Sequence, residues 1–405
     1  MKCRHCGNEL QFEFINLFNS PPSNSYLTEE QLNEPETLYP LKLFICDGCF
    51  LVQIDEYKKS SEIFNSEYIY FSSFSASWLE HAKKYAEMIT EKLNLDSNSY
   101  VIEIASNDGY LLQYLKNKNI SCLGIEPSSS TAKAAREKGI DVLEQYFNST
   151  AAKTLKKADL VIGNNVLAHV PDINDFVAGL KIALKSSGTI TMEFPHLLNL
   201  INLNQFDTIY HEHFSYLSLI AVQKIFSSQG LKIYDVEELS THGGSLRIYA
   251  AHKENNEISI NKSVNEIIDK EKSAYLDKME GYYNFEKKIQ ILKWKCMDLL
   301  IKFKKEKKRI AAYGAAAKGN TFLNYCGIKA DLIDFVADAS PHKQGKYLPQ
   351  SHIPIVSENI LKREKPDYII ILPWNLFDEI SAQLNYTKEW GAKLITAIPE
   401  MVVHE

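Results

Sequence analysis

The sequence predicts an α/β protein with two mainly parallel sheets and a small cysteine-rich unit ahead of them. Apolar strand candidates alternate with helical segments at 100–104, 121–125, 159–162, 189–194, 231–235 and 245–251, and again at 310–313, 332–337, 367–372 and 393–398. A Lys/Glu-rich helical segment separates the two sets, and 405 residues exceed what one core usually supports. We therefore predict three domains, at residues 1–72, 73–252 and 253–405.

The composition is that of an ordinary globular protein, with 45% hydrophobic and 24% charged residues. A net charge of -6 removes the overall positive field typical of nucleic-acid-binding proteins. No stretch approaches the roughly 18 apolar residues of a membrane span, and the first residues do not resemble a signal peptide. We expect a cytoplasmic protein without nucleic-acid or membrane partners, and the composition leaves the oligomeric state open.

Four of the seven cysteines form two Cys-x-x-Cys pairs in the N-terminal unit, which otherwise reads as loop-rich. A glycine accompanies each pair, Gly7 and Gly48, and lets backbone amides turn toward the sulfurs. Four thiolates suit tetrahedral zinc and leave no open position for a catalytic water, so the metal is expected to be structural. The predicted zinc ligands are Cys3, Cys6, Cys46 and Cys49. His5, inside the first pair, is an alternative ligand.

A polar turn follows the first strand of the middle domain and opens a helix, as nucleotide-binding turns do at the carboxyl edge of a sheet. Ala105, Ser106 and Asn107 largely replace the glycines of a dinucleotide turn, which favours a ligand without a pyrophosphate. S-adenosylmethionine (SAM) is such a ligand, and its cationic sulfonium makes nearby carboxylates favourable. The residues of this turn expected to contact SAM are Glu103, Ala105, Asn107, Asp108 and Gly109.

Two further strand ends contribute polar groups to the same edge of the sheet. Glu126, followed by Pro127, lies about 20 residues beyond the turn, where a carboxylate accepts hydrogen bonds from both ribose hydroxyls. The third strand runs into Asn164 and Asn165, in a segment that resembles the motif of class I methyltransferases beside the methyl donor. The three motifs together predict a SAM site, and unrelated polar turns in an α/β domain are the alternative.

The segment 207–216 concentrates two histidines, a glutamate and two tyrosines. Its His-Glu-His sequence lacks the i, i+4 spacing of a helical metal site, so acid–base chemistry is the preferred interpretation over metal binding. Transfer of a methyl group to carbon requires a carbanion equivalent, which a sugar offers beside a ketone, and it needs a base and a donor for the enolate oxygen. Tyr210, His213 and His169 supply these side-chain types.

A small-residue turn at 313–320 joins a strand to a helix in the C-terminal unit. Unpaired amides and the helix dipole favour phosphate at such a turn, and Lys318 adds a full charge. The turn departs from G-x-G-x-x-G, so an intact NAD fingerprint is absent. A structural tight turn without a ligand is the alternative.

The two cysteine pairs, the turn at 103–109, the segment 210–216 and the turn at 313–320 together resemble the deoxysugar C-methyltransferase family. The resemblance extends from residue 3 to about residue 399. It implies an N-terminal zinc-binding domain, a class I, Rossmann-like methyltransferase core and a C-terminal Rossmann-like domain.

The resemblance also implies roles for individual residues. His213 would remove the proton beside the C4 ketone of a nucleotide-diphosphate-linked 4-keto-(deoxy)sugar, and attack of the C3 enolate on the sulfonium methyl would give a 3-C-methyl sugar. The residues implied to line this pocket are Tyr210, Glu212, His169 and Tyr70, with Tyr70 preferred over Tyr68. The residues implied to bind the nucleotide-sugar are Tyr313, Gly314, Lys318, Gly319, Asn320, Asp338 and Lys343.

Two other functions compete with this one. An NAD-dependent nucleotide-sugar oxidoreductase would explain two Rossmann-like units, but it needs a cofactor fingerprint that neither turn supplies. A zinc-ribbon binding protein with a degenerate methyltransferase fold is the second, and Glu126 and His213 argue against it.

Overall fold

The N-terminal unit contains a small antiparallel sheet. The computed structural model describes residues 1–57 and 71–404. Strands β1 (Phe12–Ser20), β2 (Tyr39–Ile45) and β3 (Val52–Ile54) pair in that order, with two register shifts in the β1–β2 ladder. The expectation of a loop-rich unit is corrected here. The register shifts interrupt the alternation of inward and outward residues by which a strand is detected in a sequence.

The middle of the chain opens on helix α1 (Ala76–Lys92). The Ser75 hydroxyl caps it by accepting the Trp78 amide at 3.2 Å, and its buried residues recur at helical spacing. The following elements are β4 (Tyr100–Ile104), α2 (Leu112–Lys116), β5 (Ser121–Ile125), α3 (Ser129–Glu137), β6 (Val142–Leu143), α4 (Ser149–Ala152), β7 (Ala158–Asn164), α5 (Ile173–Ala183), β8 (Leu184–Pro195), α6 (Leu197–Asn202), β9 (Ser215–Tyr216), α7 (Leu219–Ser228), β10 (Leu231–Leu239) and β11 (Ser245–His252).

Seven of these strands form one sheet in the order β10-β11-β8-β7-β4-β5-β6. β11 is antiparallel to both of its neighbours, and the other pairs are parallel. The strand order reverses between β4 and β7, since the chain runs outward from β4 to β6 and then returns to the other side. Ligands of open α/β sheets bind at the carboxyl ends of the strands beside such a switch point.

The last third of the chain begins with two helices, α8 (Lys262–Ser273) and α9 (Phe285–Lys305), and continues as a second α/β unit. Its elements are β12 (Ile310–Tyr313), α10 (Ala317–Cys326), β13 (Val336–Ala337), β14 (Ile355–Val356), α11 (Asn359–Glu364), β15 (Tyr368–Ile371), α12 (Phe377–Gln383), β16 (Lys393–Thr396) and β17 (Val402–His404). The sheet order is β14-β13-β12-β15-β16-β17, parallel except for β17. Its switch point lies between β12 and β15.

The N-terminal sheet joins the other two units. Its fourth strand is β9 from the middle of the chain, where Val52 pairs with Tyr216. On its other side β1 packs on α9, with the rings of Phe14 and Phe285 stacked at 4.9 Å between centroids. The segment before β9 is therefore held between the N-terminal sheet and the C-terminal unit, and that segment contains His213.

The predicted α/β class is confirmed, and the strands at 100–104, 121–125 and 310–313 have the predicted bounds. The domain boundaries after residues 72 and 252 stay a prediction. Among the described residues, no helix combines the length and the apolar character needed to cross a membrane.

Candidate active site

The four predicted zinc ligands lie together. Their sulfur atoms are all within 4.8 Å of one another, with Cys3 and Cys49 at 3.5 Å and Cys6 and Cys46 at 3.4 Å. Zinc–sulfur bonds of about 2.3 Å in a tetrahedron require sulfurs close to this spacing. His5 is directed elsewhere, since its Nδ1 lies 2.8 Å from the Asn174 side-chain oxygen. The donor set fits a closed structural zinc site of four thiolates.

A residue inside the first cysteine pair, Arg4, also connects this pair to the two segments that contain His169 and His213. The half-buried Arg4 guanidinium donates to the carbonyls of Pro171 at 2.7 Å and Ile54 at 2.5 Å, and it lies 5.4 Å from the centre of the Phe214 ring. Pro171 follows His169 by two residues, and Phe214 follows His213. The zinc site therefore supports both segments that contain the candidate catalytic histidines.

The turn after β4 lies at the switch point of the core sheet, and every second residue from Ala105 to Gly109 has a positive φ. Ala105, Asn107 and Gly109 have φ of 56°, 49° and 74°. A Cβ on Gly109 would lie 3.1 Å from Ile140, and a Cβ on Gly124 would lie 2.3 Å from the Ser106 hydroxyl. The turn is therefore packed directly against β5 and α3, and this strained conformation is of the kind that concentrates at ligand sites.

Two acidic residues of the turn have different surroundings. Glu103 is fully buried, and burial raises its pKa well above the ordinary value, although a hydrogen bond from the Tyr110 side chain acts in the opposite direction. Asp108 is buried beside the Lys138 ammonium at 3.2 Å and accepts the Ser73 amide at 3.3 Å. A cationic or hydrogen-bond-donating ligand such as SAM would favour the charged form of a carboxyl group buried in this way.

Glu126 lies where β5 ends, beside this turn. Its carboxylate accepts the backbone amides of Asn107 and Ser128, both at 3.0 Å. Pro127 lies between Glu126 and Ser128 in this tight arrangement. Across the switch point, Asn164 at the end of β7 donates to the Tyr110 hydroxyl at 3.2 Å, and Asn165 has φ of 53°. The predicted SAM residues are thus brought to one sheet edge.

Two histidines of the predicted pocket lie against each other, with the rings of His169 and His213 at 4.6 Å between centroids. His213 Nδ1 lies 3.1 Å from the Thr208 carbonyl, and His169 Nδ1 lies 2.8 Å from the Glu212 carbonyl. A carbonyl accepts hydrogen bonds, so each Nδ1 carries the hydrogen. Nε2 of neutral His213 therefore carries the lone pair that a general base needs.

The surroundings keep both imidazoles neutral. Burial lowers the pKa of His169 to about 4. Burial lowers the pKa of His213 well below its ordinary value, and electrostatic interactions with His169, His242 and Lys318 lower it further. The Tyr210 ring lies on His213, with centroids 4.1 Å apart. Both histidines are therefore neutral imidazoles at neutral pH, which is the form required of a base.

Glu212 is held by a residue that the sequence did not reveal. Asn24, in the loop between β1 and β2, donates to the Glu212 carboxylate at 2.8 Å. The same loop reaches the C-terminal turn, where the Tyr26 hydroxyl donates to the Ala315 carbonyl at 2.7 Å and Asn320 donates to the Ser23 carbonyl at 2.6 Å. A loop of the N-terminal unit thus connects the two candidate sites.

The C-terminal turn lies at the second switch point, against the loop after β15. A Cβ on Gly314 would lie 2.5 Å from Pro373, and Lys318 donates to Asn375 at 2.7 Å. Trp374 of the same loop donates to the buried Asp207 carboxylate at 2.7 Å. Burial raises the pKa of Asp207 to about 6, and burial lowers the pKa of Lys318. The turn and its lysine therefore face the candidate catalytic segment, 207–216.

The other predicted nucleotide-sugar residues divide into two groups. Asp338 accepts the Ala315 amide at 2.7 Å and lies 3.6 Å from Lys343, so both residues lie beside the turn. Gly319, within the turn, packs against Leu372. Tyr313 does not join them. Its hydroxyl contacts Glu358 and Gln383 at 3.1 and 2.6 Å on the other side of the strand end.

Asn24, Trp374 and His242 are the site residues that the sequence analysis missed. Each lies in a loop far along the chain from the motifs, and only the prolines before Asn24 and the Gly-Gly pair after His242 gave a local signal. Tyr70 and Tyr68 lie outside the described residues.

A known protein matches this chain over nearly its whole length. It is the C-methyltransferase NovU of Streptomyces niveus, which is 30% identical over 403 residues, and the match covers 98% of this chain and 96% of the relative. The chain belongs to the C-methyltransferase family.

Three family models divide this C-methyltransferase along its length: a zinc binding domain at residues 3–64, a methyltransferase domain at 78–236 and a C-methyltransferase C-terminal domain at 240–399. Two solved structures that resemble this chain each align with less than half of it. Magnesium protoporphyrin IX methyltransferase of Synechocystis has 17% identity and a TM-score of 0.36, covering 47% of this chain and 91% of its own. The PH0226 protein of Pyrococcus horikoshii has 15% identity and a TM-score of 0.38, covering 49% and 100%.

Family membership confirms three predictions. The protein is a SAM-dependent C-methyltransferase, its cofactor is SAM, and its cysteine cluster binds zinc. The NAD-dependent oxidoreductase is thereby set aside. The residues available for SAM are those of the β4 turn and the ends of β5 and β7, and the cofactor supplies an electrophilic methyl carbon on a cationic sulfur.

The affinity for S-adenosylhomocysteine tests the role of Glu126. We expect Glu126→Ala to weaken this affinity about 10- to 100-fold, because hydrogen bonds to a carboxylate are each worth about 1.5–3 kcal/mol. Isothermal titration calorimetry measures it. Glu144→Ala is the matched control, since Glu144 is a partly exposed carboxylate that pairs with Arg136. Equal affinities of the two variants would contradict the assignment.

Proposed function

We propose that this C-methyltransferase methylates C3 of a nucleotide-diphosphate-linked 4-keto-(deoxy)sugar through an enolate. The observation that carries the proposal is the position of the segment 206–213 between the two switch points. Thr321 of α10 donates to the Ile209 carbonyl at 2.8 Å, and Trp374 donates to Asp207 at 2.7 Å. In this proposal a single substrate reaches from the C-terminal turn to His213. Its phosphate-bearing part binds at the turn, and its reacting carbon lies at His213.

The chemistry of the histidine pair suits a carbon acid. A C–H group beside a ketone is acidic enough for an imidazole to remove its proton if the enolate oxygen is stabilised. His213 presents the Nε2 lone pair, its Nδ1 is anchored on the Thr208 carbonyl, and the Tyr210 ring supports it. The carboxylate of Glu212 accepts a hydrogen bond from Asn24, and in this proposal it also accepts a hydroxyl hydrogen of the sugar.

Phosphate recognition at the C-terminal turn rests on Lys318 and the first turn of α10. Desolvation lowers the pKa of the half-buried Lys318, and Lys343 lies across the same turn, donating to the Ala315 carbonyl at 2.8 Å. A half-buried cation at a helix N-terminus attracts an anion strongly because water screens it less than an exposed one. A diphosphate satisfies both lysines.

Mass spectrometry tests the proposal as a whole. The protein is incubated with SAM and a panel of thymidine, guanosine and cytidine diphosphate 4-keto-sugars, and we expect one panel member to gain one methyl group. The ketone activates C3 and C5 alike, so NMR of the product must place the methyl on C3. No product from any panel member, or a methyl on C5, overturns the corresponding part of the proposal.

We expect Lys318→Met to raise KM for the nucleotide-sugar about 10- to 100-fold, because it removes a half-buried charge that pairs with phosphate. Steady-state kinetics on the active panel member measures this, and S-adenosylhomocysteine titration checks that the methyl-donor site is intact. The control is Lys302→Met, an exposed lysine on α9. An unchanged KM in the Lys318 variant would remove the turn from the substrate site.

A further inference from the structure

His242 lies in the loop between β10 and β11, in the left-handed region at φ 55°. The two glycines that follow it hold the loop tightly. A Cβ on Gly243 would lie 2.5 Å from the Trp374 ring, and a Cβ on Gly244 would lie 2.2 Å from the Asn199 side chain. A bulky residue in this conformation costs on the order of 1–3 kcal/mol, which the surrounding packing must supply. The loop therefore fixes the imidazole in one place.

The hydrogen bonds of His242 determine its tautomer. The amide nitrogen of Asn165 lies 2.9 Å from Nε2 of His242. An amide nitrogen can only donate, so Nε2 is the acceptor and Nδ1 carries the hydrogen. Nδ1 makes no further hydrogen bond to the described residues. His242 is thus a neutral donor rather than a base, in contrast to His213, whose Nε2 lone pair is available.

The groups around His242 place it between the methyl-donor site and the base. Asn165 belongs to the SAM edge of the sheet, and the Trp78 ring lies 5.1 Å away between centroids. Electrostatic interactions with Lys318, Glu193 and His81 influence the pKa of His242. His242 in turn influences the pKa of His213. Burial lowers the pKa of His242 to about 4, so the ring is neutral at physiological pH.

We propose that His242 is a catalytic residue of the enolisation step, donating a hydrogen bond from Nδ1 to the ketone oxygen of the acceptor. The inference rests on the proposed function. As the α C–H bond breaks, its proton goes to Nε2 of His213, the electron pair forms the carbon–carbon double bond, and the former carbonyl π electrons stay on oxygen as an enolate. No proton leaves His242. A neutral imidazole suits this role because a fixed donor stabilises the charge that develops.

Hydrogen–deuterium exchange of the substrate isolates this step from methyl transfer. The 4-keto-sugar that wild-type protein methylates is incubated in D2O without SAM, and NMR follows exchange of the α proton. We expect His242→Ala to slow both exchange and methyl transfer about 10²- to 10³-fold, the typical effect of losing one such donor. His242→Asn carries a donor near the position of Nδ1 and should recover a substantial part of both rates.

Titration with S-adenosylhomocysteine shows that each variant is folded with an intact methyl-donor site. Unchanged exchange in His242→Ala overturns the inference, as does normal exchange with methyl transfer lost, which would assign His242 to the methyl donor. Equal loss of exchange in both variants, with the titration unchanged, also overturns it. If wild-type protein methylates no 4-keto-sugar, the proposed function fails, and the inference fails with it.

Discussion

Replacement of His213 by alanine is expected to reduce kcat for methyl transfer about 10²- to 10⁴-fold, the usual contribution of a positioned general base. The imidazole is buried against His169 and Tyr210 with its Nδ1 fixed by the Thr208 carbonyl, so alanine removes the proton acceptor and leaves the backbone in place. S-adenosylhomocysteine affinity should stay unchanged. A radiolabelled methyl-transfer assay and calorimetric titration measure the two quantities.

His211, two residues earlier, provides the matched control. Its Nε2 is directed at the Pro40 carbonyl of β2 at 3.2 Å, away from the histidine pair. His211→Gln should keep most of the methyl-transfer activity while lowering the melting temperature slightly. If His213→Ala retained wild-type kcat, the base would have to be assigned elsewhere in the pocket.

The pH profile follows from the environment of His213. Burial lowers its pKa well below the ordinary value of about 6.5, so the neutral, basic form persists as pH falls through that value. We expect kcat/KM to be flat from pH 8 down to pH 6, whereas an unperturbed histidine would lose half of its basic form near pH 6.5. A loss centred at pH 6.5 would contradict the buried, neutral assignment.

The sequence was sufficient for the parts of the molecule that depend on local patterns. β4, β5 and β12 are short apolar runs that end at polar or glycine turns, so their bounds and the ligand edge follow from neighbouring residues. The small N-terminal sheet was missed. Its ladder is irregular, and its last strand, β9, has only two residues and comes from a distant part of the chain.

The candidate site, like the fold, was predictable only where it depends on residues that are close together in the sequence. Motifs that carry several polar residues in a row, such as 207–216, can be recognised in a sequence. Asn24, Trp374 and His242 are single polar or aromatic residues in loops, and they contribute only because the fold brings the three loops to Glu212, Asp207 and Asn165. Such tertiary contacts leave no periodic signal in a sequence.

Loss of zinc is expected to abolish methyl transfer although the metal does no chemistry. Structural zinc contributes on the order of 10–16 kcal/mol of apparent binding free energy in small domains, so the β1–β3 sheet should unfold without it. β9 would then lose its partner strand, and Arg4 would leave the Pro171 carbonyl and the Phe214 ring. His169 and His213 depend on these supports for their mutual position.

Cys46→Ser tests this coupling. We expect this variant to lose bound zinc and to show little methyl transfer. Its melting temperature should fall by about 10 °C or more, because each kcal/mol of lost stability corresponds to roughly 2–4 °C for domains of this size. Cys122→Ser is the matched control, because this half-buried cysteine on β5 is not in the zinc cluster and should keep zinc and activity. Metal analysis, thermal melting and the methyl-transfer assay provide the readouts.

Exchange of the metal separates a structural from a catalytic role. Cobalt in the same four-thiolate site should restore both the melting temperature and the methyl-transfer rate. The positions of the histidines depend only on the geometry of the cluster, which cobalt preserves. A cobalt protein that is fully folded but inactive would show that the metal takes part in the reaction. Full activity of metal-free protein would instead show that β9 and Arg4 do not need the cluster to hold the catalytic segments.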